Sequence, residues 1–417
     1  MNNKKGLIYD NIHGYILIDP IARKIIDTPE FQRLRRIHQT GALFLVFPTA
    51  NHSRFEHSVG TYNLAKKFIK NLRIKQTELE ITDRLVLLVS LAGLCHDLGH
   101  MFYSHLFDDL FLKKLENYKE MGENVHHENR SKLILRHIVK KYGISLTNED
   151  LKVICDLIDP YNSDYDNWKE EFKVGKWIFQ IVSNPINNID VDKFDYIDRD
   201  NRATGLKLNF EYGRLISQAK VFERKEIIYP QQVKDDIFHM FFIRYRLHRQ
   251  IYNHKTVKAI ELLLVKALIE LEKTDHISTY INDPEKMIKL TDCYLYYSNN
   301  NNVNKIINLI DMRDQPSLIF EKISLKQFEI DFKKLKNLPF SKDSIEIIKF
   351  KVGYTSGKDK NPLKNIRFYK TKNNEVVNFE SFNFSLLINN NHQEYFYRIY
   401  CLDDKIKDSA KEYFSNF

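Results

Sequence analysis

Residues 85–94 read LVLLVSLAGL, a helix-length run with almost no polar side chain. A helix that is apolar all round is a buried one, so the rest of the chain has to enclose it. The run ends on Cys95, His96 and Asp97, and His100 follows three residues after the Asp. Imidazole and carboxylate at the end of a core helix cost free energy unless something compensates them. A bound cation would compensate both.

Helical patterns dominate the first 298 residues. Apolar spacing predicts helices at roughly 54–76, 82–97, 103–117, 125–142 and 148–158, then near 169–183, 190–203 and 209–218. IIDTPEFQRLRRIHQ adds a helix start, with Thr28 as N-cap and Pro29 at the first helical position. AKVFERKEIIYP alternates as a short hairpin, a long helical stretch spans about 231–272, and a further helix covers roughly 284–298. SNNNNVNK (298–305) reads as a polar linker. Beyond it, DSIEIIKFKVGY, IRFYKTK and EYFYRIYCL look like strands and DDKIKDSAKEYFSNF like a closing helix. The expected architecture is mainly α, with a helical unit over 1–298 and a smaller α+β lobe over 299–417.

Composition agrees, since 13 Gly and 10 Pro are few for a turn-rich β fold of 417 residues. A net charge of +9 suits anionic partners such as nucleotides or nucleic acid, and suits an ordinary soluble protein equally well. Cys95, Cys155, Cys293 and Cys401 lie far apart and form no CxxC pair, which argues against a disulfide framework and fits a reducing compartment. The start MNNKKGLIYD has no signal-peptide core, and no apolar run reaches the ~18 residues of a membrane span. The expectation is a soluble intracellular protein of cytoplasm or nucleus.

Eight of the 15 histidines lie between positions 52 and 137. The chemistry concentrates in HSRFEHS (52–58), CHDLGHMFYSHLFD (95–108), HHEN (126–129) and IDVDKFDYIDRD (189–200). Adjacent helical residues point about 100° apart, so His96 and Asp97 reach one ion only at the helix end. A second His and a second carboxylate from elsewhere would complete a mixed nitrogen and oxygen site. His57 and Asp192 are the candidates. A surface or capping role for His57 and a helix-dipole role for Asp192 are the alternatives, although the dipole does not account for Asp198 and Asp200 deeper in the helix.

DNIHGYI, IIDTPEFQRLR, FPTANHSRFEHSVG, AGLCHDLGH, YSHLFD, HHEN, NNIDVDKFDYIDRD, RLHRQIYNHK and KNP occur in this order. On these motifs the chain resembles the HD-domain deoxynucleoside triphosphate triphosphohydrolases, specifically the animal type that also carries a sterile alpha motif. The resemblance runs from about residue 6 to the C-terminus, and the sterile alpha motif has no counterpart in it. It implies an HD-type helical core in which His57, His96, Asp97 and Asp192 bind one divalent metal, whether iron, manganese, zinc or magnesium. It also implies hydrolysis of a deoxynucleoside triphosphate, accompanied by magnesium, to deoxynucleoside and inorganic triphosphate by attack at the α-phosphorus.

By the same resemblance Arg54, Lys193 and Arg244 would hold the phosphates, a task to which the forked guanidinium is suited. His105 would protonate the leaving O5′, with Asp108 three residues on and the pair His127 and Glu128 in support. Gln39 and Asp200 would meet the 3′-hydroxyl, Tyr196 and Tyr252 the sugar, and His248 would also line the substrate site. His100 is read as supporting a ligand or facing the phosphates, and His52 and His126 as structural.

The sequence also departs from that family. Animal members have Leu after the Gln, whereas IHQTGA places Thr40 there, where its hydroxyl would tolerate or bond a ribose 2′-hydroxyl. Those enzymes are activated by nucleotides at two sites and assemble as tetramers. Asp27, Gln32 and Arg35 retain the guanine-specific site, with Gly6 in place of its Lys, so GTP or dGTP is the expected activator. The second site keeps Val46, Phe47, His254 and Lys360. Gln232, Asp236 and Gln250 stand where basic or amide residues occur, which weakens it. A homo-oligomer, dimer or tetramer, is expected.

Two alternatives stay open. An HD phosphohydrolase acting on other nucleotides would share the metal ligands without needing Arg54, Lys193 and Arg244 together. A single-stranded nucleic-acid-binding protein would use basic surface such as KKFIKNLRIK (66–75), which reads more simply as a solvated helix face.

Overall fold

In the computed structural model, residues 5–327, 339–354, 361–378 and 391–415 are described. The chain enters on an antiparallel hairpin, β1 (Gly6–Asp10) and β2 (Gly14–Ile18), an element that the apolar spacing did not announce. Two short helices follow, α1 (Pro20–Ile26) and α2 (Pro29–Gln32); Thr28 caps α2, its hydroxyl accepting from Phe31 N at 3.3 Å.

Five helices then build the body: α3 (Arg54–Lys75), α4 (Asp83–Cys95), α5 (His127–Tyr142), α6 (Asn148–Ile158) and α7 (Val191–Thr204). Helix α4 is the apolar run, and it is enclosed as its composition requires, with every residue from Leu88 to Cys95 buried. It packs against α3 and α6, while α7 crosses α3. Helix α8 (Tyr212–Gln218) leads to the hairpin β3 (Lys220–Phe222) and β4 (Glu226–Pro230). After it come α9 (Lys234–Arg246), α10 (Lys255–Asp275), α11 (Pro284–Met287), α12 (Cys293–Tyr296) and α13 (Asn301–Asp311).

The expected helix over 103–117 is instead a π-helical turn, Leu106–Phe111, because Tyr103 and Ser104 adopt left-handed backbone angles that stop a helix starting there. The stretch 169–183 forms only 3-10 turns. They surround Gly175, whose φ of +122° and close approach to Arg224 O admit no side chain. The long stretch over 231–272 breaks at a π-helical turn, Leu247–Tyr252, and restarts behind His254. The region 284–298 holds two single turns rather than one helix. The asparagine-rich linker is half helix. The Asn300 side chain caps α13, and Val303, Ile306, Ile307 and Ile310 are buried in the main core.

Strands β5 (Ser317–Ser324), β6 (Ile345–Gly353), β7 (Arg367–Tyr369), β8 (Val376–Asn378) and β9 (Gln393–Cys401) precede a closing helix, α14 (Lys407–Ser415). β9 is the centre of an antiparallel sheet in the order β5-β9-β6, with its own core around Ile319, Tyr397, Ile399 and Phe414. β7 instead pairs parallel to β4 and sends Phe368 into the main core. The fold is mainly α with a smaller α+β lobe. All four cysteines are free, and among the described residues no helix is long and apolar enough to cross a membrane.

Candidate metal and nucleotide site

Four side chains from three helices converge at the end of α4. His57 comes from the second turn of α3, His96 and Asp97 follow α4, and Asp192 lies in the first turn of α7. His57 Nε2 lies 3.2 Å from His96 Nε2, 3.4 Å from Asp97 Oδ2 and 3.1 Å from Asp192 Oδ1. His96 Nε2 lies 3.4 Å from Asp97 Oδ1 and 3.5 Å from Asp192 Oδ1.

The opposite ring nitrogens show what this pocket is built for. His57 Nδ1 is 2.8 Å from Asp195 Oδ2, and His96 Nδ1 is 2.9 Å from Gly93 O. Carboxylate and carbonyl oxygens only accept, so both Nδ1 atoms carry protons and both Nε2 atoms face one point, where a metal would take their lone pairs. Two lone pairs at that separation repel unless a cation lies between them. Burial opposes charge on His57, yet Asp192, Asp195 and Asp97 outweigh burial and raise its pKa well above the usual value, so these carboxylates draw positive charge, a proton or a metal, to Nε2. Burial likewise opposes ionisation of Asp97, but Arg54 and the neighbouring histidines hold its pKa well below the carboxylate range. The donor set, two imidazoles and two carboxylates, fits a divalent transition metal or magnesium.

Asp195 carries a role that the sequence reading passed over. It accepts from His57, from His13 Nε2 at 2.6 Å and from two nitrogens of Arg199 at 2.9 Å each. Gly60 makes room for it, since a Cβ there would fall 1.9 Å from Asp195 Oδ1. Such partners fix the orientation of a metal-binding imidazole. The signal available was the spacing from Asp192 to Asp195, one helical turn apart. Asp190 is the N-cap of α7, accepting from Lys193 N at 3.1 Å, which leaves Asp192 free of that duty.

Beside the candidate metal ligands lies a histidine cluster. The ring nitrogens of His100, His105 and His127 fall within 4.8 Å of one another. His100 is fully buried, stacks on His127 with centroids 4.0 Å apart, has Nε2 3.4 Å from Asp97 Oδ1, and among the described residues has no well-aligned hydrogen bond through either ring nitrogen. His105 is 63% exposed with its ring edge-on to His100 and His127, and partial desolvation there, with the charges of Arg54 and His127, lowers its pKa. Asp108 does not pair with His105, as three-residue helical spacing would have it. The wider π-helical turn rotates it toward His127 Nδ1, at 3.3 Å, and Arg130, while Asp109 lies 3.9 Å from His105. Glu128 Oε2 lies 3.5 Å from His127 Nδ1, so the expected pair is present.

Of the three phosphate-binding candidates, Arg54 touches Asp97, Lys193 lies 3.9 Å from Asp192, and Arg244 reaches Tyr196 on α7. Arg54 donates to Asp97, to Ser104 Oγ at 3.0 Å and to Gln39 O at 3.1 Å, leaving two of a guanidinium's five N–H groups. Lys193 Nζ is 2.9 Å from Asp190 Oδ2. Arg244 Nε donates to Tyr196 OH at 2.9 Å, and its Nη1 to Tyr354 O at 2.8 Å. Asp200 accepts from Tyr252 OH at 2.5 Å and from His52 Nε2 at 2.7 Å, so His52, read as structural, belongs to this cluster. His248 sits edge-on to Tyr252 with centroids 4.9 Å apart. Gln39 Oε1 and Thr40 Oγ1 are both buried and, among the described residues, have no hydrogen-bond partner.

The effector candidates fall in two places. Gln32 accepts from Arg35 Nε at 2.8 Å, and Arg35 lies over the Phe55 ring, 3.5 Å from its centroid; Asp27 pairs with Arg23 instead. Phe47 meets His254 edge-on at 5.6 Å, beside Val46, and Lys360 lies outside the described residues. Asp236 is held by Arg214 at 2.8 Å.

A helical bundle with paired His and Asp ligands of this arrangement defines an HD-domain protein, and the HD domain pattern matches residues 54–200. That span holds all four converging ligands. The chain is 33% identical to an HD domain-containing protein of Acanthamoeba polyphaga mimivirus, over 98% of this chain and 94% of that one. It is 34% identical to the deoxynucleoside triphosphate triphosphohydrolase SAMHD1 homolog of Dictyostelium discoideum, over 95% and 77%. The corresponding figures for deoxynucleoside triphosphate triphosphohydrolase SAMHD1 of Homo sapiens are 32%, 98% and 72%. The chain belongs to the HD-domain deoxynucleoside triphosphate triphosphohydrolase family.

Proposed function

We propose that this protein hydrolyses deoxynucleoside triphosphates to deoxynucleoside and inorganic triphosphate, with one divalent metal held by His57, His96, Asp97 and Asp192. The observation that carries this reading is the convergence of two imidazole lone pairs and two carboxylates beside Arg54, Lys193 and Arg244. A divalent cation in that pocket supplies Lewis acidity to the α-phosphate and to an attacking water. Iron, manganese, zinc and magnesium all suit the donors, and magnesium would accompany the nucleotide.

The chain's own groups account for the rest. The remaining donors of Arg54, with Lys193 and Arg244, neutralise the phosphate chain and hold the α-phosphorus in place. Water bonds to that phosphorus as its bond to O5′ breaks. His105, protonated once the anionic triphosphate is bound, delivers a proton to O5′ and the proton of the attacking water passes to solvent, while Asp108 and Glu128 orient His127 and keep it cationic beside the leaving triphosphate. Burial works against charge on His127, but Glu128 and Asp108 outweigh it and raise its pKa. Asp200, Tyr252, Tyr196, His248 and Gln39 form the sugar end, with Asp200 and Gln39 for the 3′-hydroxyl. Residues 1–298 supply the catalytic unit with its regulatory segment, joined in its core by α13 and β7, and the rest of 299–417 forms the lobe.

Asp27, Gln32 and Arg35 support activation by GTP or dGTP. The second site, with Val46, Phe47, His254 and Lys360, is weaker because Asp236 already has a cationic partner. Assembly as a homo-oligomer accompanies this reading, and any nucleic-acid binding is weak and secondary.

Phosphorus NMR of the products tests the proposal directly. Deoxyguanosine triphosphate with manganese or magnesium should yield deoxyguanosine and intact triphosphate, and His96→Ala or Asp97→Ala should abolish it. Orthophosphate or pyrophosphate as first product would favour the other HD phosphohydrolases instead. Parallel lanes with each other deoxynucleotide, with and without GTP, test the activator.

A further inference from the structure

Arg33 is fully buried, yet among the described residues no carboxylate lies within ion-pair distance of it. Burial, reinforced by Arg130 and Arg36, pushes its pKa down to about 9, which still leaves it charged at neutral pH. An uncompensated buried cation is expensive, and an apolar side chain of similar volume would fill the space at less cost. The charge is instead spent on the turn that carries the metal ligands. Arg33 Nη1 donates to His100 O at 2.8 Å and its Nη2 to Leu98 O. These carbonyls follow the C-terminus of α4, the end of a helix where positive charge is favoured.

Arg130, also fully buried, grips the same turn from α5, its Nε donating to Gly99 O at 2.8 Å. Ser131 Oγ donates to His96 O at 2.7 Å and accepts from Gly99 N at 2.8 Å. Four carbonyls, from His96, Leu98, Gly99 and His100, are thus held from two sides, with the Asp97 side chain between them. The turn has no slack, because a Cβ on Gly99 would fall 2.1 Å from His127 O.

We infer that Arg33 is a positioning residue for the metal centre, acting through the backbone of Leu98 and His100 to set the direction of Asp97 and the depth of His100. A flat fork that bridges two carbonyls two residues apart is what a guanidinium supplies and an ammonium does not. Arg33 also shares one 3-10 turn, Arg33–Arg36, with Arg35, so it ties the segment of the effector candidates to the metal ligands. The inference rests on the metal-dependent reading above.

The test uses the full chain with Arg33→Lys, Arg33→Met and Ser131→Ala, the last a smaller change should Arg33→Met fail to fold. Manganese affinity, read from the paramagnetic resonance of the free ion, is measured beside the melting temperature, kcat and KM for deoxyguanosine triphosphate. Arg33→Lys should bind manganese roughly 10- to 100-fold more weakly. Its kcat should fall by a similar factor while KM moves by less than about threefold. Ser131→Ala should shift both quantities in the same direction. Variants that melt earlier but keep wild-type manganese affinity and kcat overturn the inference and leave Arg33 a purely structural residue. Wild-type protein that binds no manganese would instead sink the metal reading, and this inference with it.

Discussion

His57 Nδ1 and Asp195 Oδ2 lie 2.8 Å apart, and that contact decides which nitrogen of His57 faces His96. Asp195 is in turn locked by His13 and by both forks of Arg199. Asp195→Asn keeps an acceptor but removes the charge that makes His57 a strong donor of its lone pair. Metal content after gel filtration should drop, with affinity weaker by roughly 10- to 100-fold. Full occupancy in this variant would show that Asp195 serves only His13 and Arg199.

Among the described residues no carboxylate comes closer to His105 than Asp109 at 3.9 Å, so no carboxylate clamps its proton. His105→Ala should lower kcat by roughly 10²- to 10⁴-fold and leave metal content unchanged. If kcat holds and metal is lost, His105 is a ligand rather than an acid.

Asp108 links acid stability to this site. Burial acts to raise its pKa, but Arg130 and His127 outweigh burial and hold the carboxyl below its ordinary range. A group depressed in the folded state stabilises the fold above the unfolded value near 4, and that stabilisation is lost as pH falls through the folded value. Asp108→Asn should therefore cost roughly 3–5 kcal/mol at pH 7, by stranding Arg130, and progressively less as the pH falls below about 4. Urea melts of both proteins at several pH values check this; a gap that is constant with pH contradicts it.

Thr40 Oγ1 and Gln39 Oε1, neighbours in sequence, are buried without hydrogen-bond partners among the described residues. A ribose offers vicinal hydroxyls to such a pair, a deoxyribose only one. The wild type should turn over guanosine triphosphate measurably. Thr40→Leu should lower kcat/KM for it by about tenfold, the value of one hydrogen bond, while sparing the deoxynucleotide. Equal losses on both substrates would remove Thr40 from sugar selection.

The legible part of this protein was its local chemistry. The apolar run before His96 and Asp97 announced a core helix ending in a polar site, and Thr28, Pro29 and the 148–158 helix were readable from capping residues and spacing. Expectation failed where backbone geometry, rather than side-chain period, decided the outcome. Left-handed Tyr103 and Ser104 replaced a helix with a π-helical turn, which in turn moved Asp108 from His105 to His127. The roles of Asp195, His52, Arg33 and Arg130 depend on contacts between residues 31 to 148 positions apart in sequence, and no periodicity encodes those. Asn300 misled in the other direction, since a polar residue that suggests a linker is also a good helix cap.

The central claim is that water attacks the α-phosphorus and O5′ leaves as the free deoxynucleoside. Hydrolysis of deoxyguanosine triphosphate in ¹⁸O-labelled water, with mass analysis of both products, tests it most directly. One labelled oxygen in the inorganic triphosphate and none in the deoxyguanosine, with no turnover by His96→Ala, is the predicted result. Label in the deoxyguanosine, or label in a nucleotide fragment released with pyrophosphate or orthophosphate, would contradict it.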